Sequence, residues 1–215
     1  LELLKDVNTA SWNGYRILEE LLEWARNQRK EVKVKPVDIQ LKKLISEITN
    51  TSGIGLMDKK IEVIVQIPDD ASAFADKDMM TIVFRNLLAN AIKFSFPGGI
   101  IEINGHEDEN GFFIIQFKDN GTSIAENDLA KLFDPSAHFT TTGTSGETGT
   151  GLGLILCREM VIKNKGSIDV KSKKGEGSTF TLKLPVPFEI TSIPTEVPII
   201  ENPDFKIIGG KFHLN

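Results

Sequence analysis

In the stretch MMTIVFRNLLANAIKFS, Asn86, Asn90 and Lys93 recur at intervals of four and three residues. On a helix those positions share one face. Two carboxamides and an ammonium in line, bracketed by apolar residues, are costly to bury without partners. One reading is a stripe that faces solvent. The other is a site for a hydrated metal ion and a phosphate. An asparagine oxygen is a hard ligand of the kind Mg²⁺ takes, and a lysine supplies a point charge to a phosphate oxygen.

A second constellation is GETGTGLGL, residues 146–154, with glycines at alternate positions and no lysine or arginine. A mononucleotide phosphate loop needs G-K-[ST], and a dinucleotide fingerprint needs G-x-G-x-x-G after a strand. Neither spacing is present. The glycines instead lead into a helix expected to begin at Leu152. Amides at a helix N-terminus bind phosphate without side-chain charge. Cradle and cation then come from separate parts of the chain, Gly149, Gly151 and Gly153 from one and Lys93 from the other. Third, Asp119 ends an apolar strand and Gly121 follows two residues later. D-N-G is good chemistry for a plain turn. It also suits a carboxylate that accepts a hydrogen bond from an exocyclic amine such as adenine's, with a glycine that lets a flat base approach the backbone.

These residues need elements to hold them. Residues 1–29 carry a doubled apolar stripe at spacings of four and three, which reads as one helix that needs partner helices. After Pro36, VDIQLKKLISEITNTSG reads as an amphipathic helix ending near Gly53. KKIEVIVQIP alternates as a half-buried strand. Asp76 or Asp78 can cap the helix from Met79 to about Phe94. The segments GIIEINGHE, GFFIIQFKDNG and GSIDVKSKKGEGSTFTLKLP read as further strands, the last as a hairpin, with a helix from Leu152 to about Asn164 before it. This order predicts one sheet with helices covering one face, preceded by a long N-terminal helix. Between them, residues 132–154 form a Thr-, Ser- and Gly-rich stretch without periodicity, expected to be a mobile lid because 140–150 holds no large apolar anchor. Residues after about 187 read as an extended, Pro-containing linker or tail.

Composition limits the choices. The chain has 215 residues, 40% hydrophobic and 26% charged, with a net charge of −5 and one cysteine, Cys157. The acidic balance argues against non-specific nucleic-acid binding. One cysteine excludes an internal disulfide and a cysteine-rich metal site, as expected of a cytoplasmic protein. No apolar run approaches the ~20 residues of a membrane span, so no membrane segment is expected in this chain, which reads as a fragment of a parent that could itself be anchored.

RNLLANAIKFS, DNG, LFDP and GTGLGLILCREM stand in the order of the N, G1, F and G2 boxes of the histidine kinase catalytic domain. The chain therefore resembles that domain, part of the wider ATPase superfamily that includes DNA gyrase and the heat-shock chaperones, over roughly residues 32–187. The preceding helix, ending LLEWARNQ, resembles the second helix of the family's dimerisation and phosphoacceptor hairpin. The resemblance implies an α+β fold, a mixed β-sheet with helices on one face, and ATP bound between the helices and a lid, with Mg²⁺ on Asn90, and Asn86 and Lys93 as the catalytic pair at the phosphates. It implies Asp119 at the adenine, supported by Thr179, and Phe94 over the base or in the core. Gly121, Ile124, Phe133, Gly149, Thr150, Gly151, Leu152 and Gly153 would complete the ATP-binding residues.

Three departures stand out. Ser123 replaces the second glycine of the D-x-G-x-G box. No arginine or lysine occurs between Leu132 and Cys157, which leaves the transferred phosphate to Mg²⁺, Lys93, backbone amides and, as an alternative, His138. No histidine sits on a long amphipathic helix with an acidic neighbour: His106 is read as following a strand, His138 as lying in the lid and His213 in the tail. The division implied is 1–31 as the hairpin helix, 32–187 as the ATP-binding domain and 188–215 as linker or tail. The parent would be a two-component kinase that passes the γ-phosphate to a histidine and then to a response-regulator receiver domain, and would dimerise through the N-terminal helix. A nucleotide-binding regulatory module without transfer activity, and an ATPase or serine kinase of the same superfamily, are the alternatives.

Overall fold

A computed structural model describes residues 33–137 and 139–187, and the backbone of 205–208 and 211–214. The expected N-terminal helix and His138 lie outside the described residues. Alternation in the central segments lets each strand bury one face and wet the other. β4 (Ile100–Glu107) and β5 (Phe112–Asp119) pair antiparallel, with Ile103 opposite Phe117 and Ile101 opposite Asp119. β7 (Gly177–Pro185) pairs with the other edge of β5, and β6 (Ser167–Lys173) joins β7 as a hairpin. β2 (Glu62–Gln66) runs parallel to β4, completing a five-stranded mixed sheet in the order β2-β4-β5-β7-β6. The parallel pair requires a crossover, and a helix supplies it.

Ile101, Ile103, Ile115, Phe117, Leu182 and Leu184 line the buried face of the sheet. Helices α1 (Leu41–Thr51), α3 (Lys77–Phe94) and α5 (Gly153–Lys163) pack into the same core, while the single turn α4 (Glu126–Leu129) buries no residue. The other face carries polar pairs such as Lys118 and Glu102, 3.1 Å apart. The mixed sheet with helices on one face is thus as expected from the sequence.

Four local expectations change. Pro36–Gln40 is not the start of a helix but β1, antiparallel to β3 (Ser72–Asp76). Pairing with β3 gives the backbone of Val37–Gln40 hydrogen-bond partners, and the helix starts only where Leu41, Leu44, Ile45 and Ile48 can all be buried. A further short helix, α2 (Gly53–Lys59), follows and ends at Lys60, whose φ is +53°. His106 lies within β4, opposite Ile114, rather than in the turn after it. In the tail, β8 (Phe205–Ile208) and β9 (Lys211–Leu214) pair antiparallel where an irregular segment was expected, and His213 lies in β9.

Candidate functional site

The site is built on α3. Asp76 caps it, its carboxylate accepting from the amides of Asp78 and Met79 at 3.1 Å each. Met80, Val83, Phe84, Leu87, Leu88 and Ala91 bury the inner side, the Phe84 ring 5.8 Å from that of Phe117. That packing fixes the helix rotation, and Asn86, Asn90 and Lys93 are left half-buried on the wall of a cavity of about 720 Å³. Thr148, Gly149, Thr150, Gly151 and Gly153 form the opposite wall. A Cβ on Gly149 would stand 2.9 Å from Lys93 Nζ, and one on Gly153 would stand 3.4 Å from Asn86 Oδ1. Side chains at those two glycines would fill the space between the walls.

α5 (Gly153–Lys163) starts behind Leu152, which gives no side-chain cap, while the Leu152 amide donates to Thr150 Oγ1 at 3.2 Å. A backbone-lined cradle facing one ammonium and two carboxamides fits a phosphate-bearing ligand. Among the described residues no group of three His, Cys, Asp or Glu could hold a metal. A hydrated ion here would rest on the Asn90 oxygen and the ligand's own phosphates, as Mg²⁺ commonly does.

Asp119 lies at the end of β5 and is 3% exposed. Burial raises its carboxyl to about 6, although hydrogen bonds from the backbone of Gly121 and Ser178 oppose the rise. The Gly121 amide donates to Oδ1 at 2.9 Å, so the carboxylate is held by backbone donors at the end of β5. The register places Ser178, not Thr179, opposite Asp119; Thr179 faces Lys118 on the other side of the sheet. Ser178 rather than Thr179 thus shares the face of Asp119, because adjacent strand residues point to opposite faces. Ser178 Oγ lies 3.1 Å from Ser172 Oγ, which accepts from the Ile124 amide at 2.8 Å, so hydroxyls brace the segment after the D-N-G turn.

Gly121 also changes meaning. A Cβ there would stand 2.0 Å from the Phe94 carbonyl oxygen, so the glycine is required where the turn meets the end of α3. The Thr122 amide donates to that same carbonyl at 2.9 Å. Phe94 lines the cavity, its ring 4.7 Å beneath Lys93 Nζ. Asp119, Gly121, Ile124, Phe133, Leu152 and Thr179 do not line it. Ile124 and Phe133 pack against the core instead, with the Arg158 guanidinium 6.0 Å from the Phe133 ring.

Gly177 adopts φ +88° with the Asp119 carbonyl oxygen 2.0 Å from where a Cβ would be. Gly177→Ala is expected to cost about 2–4 kcal/mol through overpacking and left-handed strain. A shift of the urea midpoint would measure it, and an unchanged midpoint would mean that the two strands part without cost.

The lid is tied down by polar groups rather than held by nothing. Lys93 Nζ donates to the Thr141 carbonyl at 2.7 Å, and the Thr144 amide donates to the Lys93 carbonyl at 3.1 Å. A cation absent from the lid's own sequence arrives from α2: Lys59 Nζ lies 2.6 Å from Glu147 Oε1. Burial alone would raise the Glu147 carboxyl, but the hydrogen bond from Lys59 and nearby amides outweigh it and hold the group below its ordinary value. Sequence reasoning missed Lys59, Thr144, Glu147 and Ser178. Thr144, Glu147 and Ser178 stood in stretches already singled out, but nothing in the spacing of Lys59 pointed to its partners.

Residues 75–187 match the family described as histidine kinase-, DNA gyrase B- and HSP90-like ATPase. Over 112 residues, 52% of this chain and 19% of the relative, the sequence is 43% identical to the sensor protein SrrB of Staphylococcus aureus. The fold is similar to that of the Acinetobacter baumannii histidine kinase AdeS, with a TM-score of 0.70 at 20% identity, covering 86% of this chain and 85% of that one. It is also similar to the histidine kinase ThkA solved in complex with the response regulator protein TrrA, with a TM-score of 0.64 at 24% identity, covering 81% of this chain and 49% of that one.

A five-stranded mixed sheet, a helix with an Asn-Asn-Lys face and a glycine-rich run entering a second helix define an ATP-binding catalytic domain of the histidine kinase type. The chain belongs to the histidine kinase, gyrase B and HSP90-like ATPase family. It spans about a fifth of the length of the curated relatives it matches. Among the described residues no helix is long and apolar enough to cross a membrane.

Proposed function

We propose that this chain is the donor half of a two-component sensor kinase, passing the γ-phosphate of Mg-ATP to a histidine on a phosphoacceptor helix of the same parent protein. The observation that carries this is the shared cavity wall of Asn86, Asn90 and Lys93 opposite Gly149–Gly153. Asn90 would hold Mg²⁺, with Asn86 one turn earlier beside it, and Lys93 would neutralise charge on the terminal phosphates. Glycine amides and the start of α5 would cradle those phosphates, and Asp119, braced by Ser178, would accept from the adenine amine. Mg²⁺ held by Asn90 would supply positive charge that offsets the charge of the phosphates. The protein's own work is positioning and electrostatics, with little covalent chemistry of its own.

Residues 1–31 would belong to the dimerisation and phosphoacceptor hairpin, 32–187 to the catalytic domain and 188–215 to a linker or tail. The parent would work in the cytoplasm as a homodimer. A response-regulator receiver domain is the proposed next acceptor; support comes from the fold likeness to ThkA, which was solved with TrrA.

Transfer needs an imidazole in line with the γ-phosphate, reacting atoms about 3–3.5 Å apart. His106 is held in β4 and cannot be presented that way. The chain alone is therefore expected to bind an ATP analogue yet leave itself unlabelled by γ-labelled ATP. Adding a histidine-bearing hairpin should yield acid-labile, base-stable label. Strong labelling of the chain alone would reveal another acceptor. No labelling with the hairpin present and ATP bound would favour a regulatory module without transfer.

A further inference from the structure

Lys59, the last residue of α2, is 6% exposed, and nothing in the reading of the nucleotide site uses it. Its ammonium lies 2.9 Å from the Ile92 carbonyl oxygen and 2.8 Å from that of Lys93. On its other side are Thr144 Oγ1 at 2.7 Å and Glu147 Oε1 at 2.6 Å. An ammonium has three hydrogens, so four such close acceptors leave none for a ligand phosphate. The first pair are carbonyls of the last turn of α3, where the helix dipole favours a cation. The second pair belong to the lid. Lys59 is itself held in place, since its carbonyl accepts from the Gly98 amide at 2.7 Å.

The lid segment is shaped to meet it. The Gly143 amide donates to the Glu147 carbonyl at 2.8 Å, and Glu147 Oε2 accepts from the Ser145 amide at 2.8 Å, closing a compact turn. Thr144 Oγ1 passes its own hydrogen to the Ser95 carbonyl at 2.6 Å. Gly143 has no room for a side chain, because a Cβ would stand 2.6 Å from Lys93 Cγ. Gly149, which abuts Lys93 Nζ, follows Glu147 by two residues. Where Glu147 is fixed therefore decides where the glycine cradle lies relative to Lys93.

We propose that Lys59 is a positioning residue, a latch that joins the end of α3 to Thr144 and Glu147 of the lid and so sets the glycine cradle against Lys93 before nucleotide arrives. This role rests on the nucleotide reading of the site. It acts on the terminal phosphates through the cradle and makes no contact with them. The lid is then divided, its first part pinned to the helix and its glycine run left to close on the ligand.

Lys59→Met removes a buried cation from two helix carbonyls and could prevent folding, so Glu147→Gln and Thr144→Val decide the matter. Both leave the α3 carbonyls paired with Lys59. In the nucleotide-free chain, each is expected to speed hydrogen exchange of amides 143–149 on the order of tenfold, with α3 and β5 amides unchanged. Each should weaken an ATP analogue on the order of tenfold while ADP weakens much less. A purely structural role would lower the melting temperature and leave the ATP-to-ADP ratio alone, which would overturn the proposal. Unchanged exchange of 143–149 would also overturn it, by showing that no latch exists. Failure of the unaltered chain to bind the ATP analogue would bring down the nucleotide reading and the positioning role with it. The exchange arm is read without nucleotide, so it would still report the latch in that event.

Discussion

Asp119→Asn is expected to weaken ATP and ADP alike while making the nucleotide-free protein more stable at neutral pH. The Gly121 amide already engages Oδ1 at 2.9 Å, so the amide oxygen of an asparagine would keep that partner and turn its NH₂ toward the adenine amine. Donor would then face donor, a loss of about 1–3 kcal/mol in affinity, shared by both nucleotides because the base is common to them. The stability change has the opposite sign. Burial raises the carboxyl from 3.8 to about 6 in the folded chain. The folded state therefore holds its proton more tightly than the unfolded state does. The stabilisation this gives is complete below about pH 4 and is lost as pH rises through 6. A difference of about two pH units corresponds to about 3 kcal/mol, and an uncharged asparagine avoids that penalty above pH 6. Denaturant midpoints should diverge between pH 4 and 7, with the variant higher at 7, and calorimetry should show weaker binding of both nucleotides. Unaltered nucleotide affinity would remove Asp119 from the base site. Parallel pH profiles would mean that its burial costs nothing.

Asn90→Ala is expected to abolish the tightening of ATP-analogue binding by Mg²⁺ and to leave the fold intact. Asn90 is half-buried on the cavity wall, and alanine is the best helix former at such a position. Coupling between metal and nucleotide is of the order of 1–3 kcal/mol, about 5–150-fold in affinity. That factor should fall to near one in the variant, while binding without metal stays close to the original. Lys93→Ala should behave differently, weakening ATP with or without metal, since its charge acts on phosphate directly. Titrations with and without Mg²⁺ separate the two. Full metal dependence in the Asn90 variant would move the ion to another ligand.

Much of this site is legible because its groups sit close together along the chain. Asn86, Asn90 and Lys93 are bound to one face by helical geometry, and the glycines before Leu154 mark a helix start whatever surrounds them. The strands β4, β5, β6 and β7 follow from alternation, and the Asp76 cap from local chemistry. β1 was not legible, because the four residues after Pro36 read as either strand or helix until β3 lies beside them. The choice between Ser178 and Thr179 turned on register, which one residue of slip reverses and which only the pairing of β7 with β5 fixes. Gly121 reads as a turn residue, yet its requirement comes from Phe94, which only packing brings against it. Lys59 and Glu147 are 88 positions apart, and no periodicity links them. Local spacing determined which residues could touch a phosphate. The tertiary structure decided how the lid is held to them, because a buried ammonium must find its acceptors wherever the fold places them.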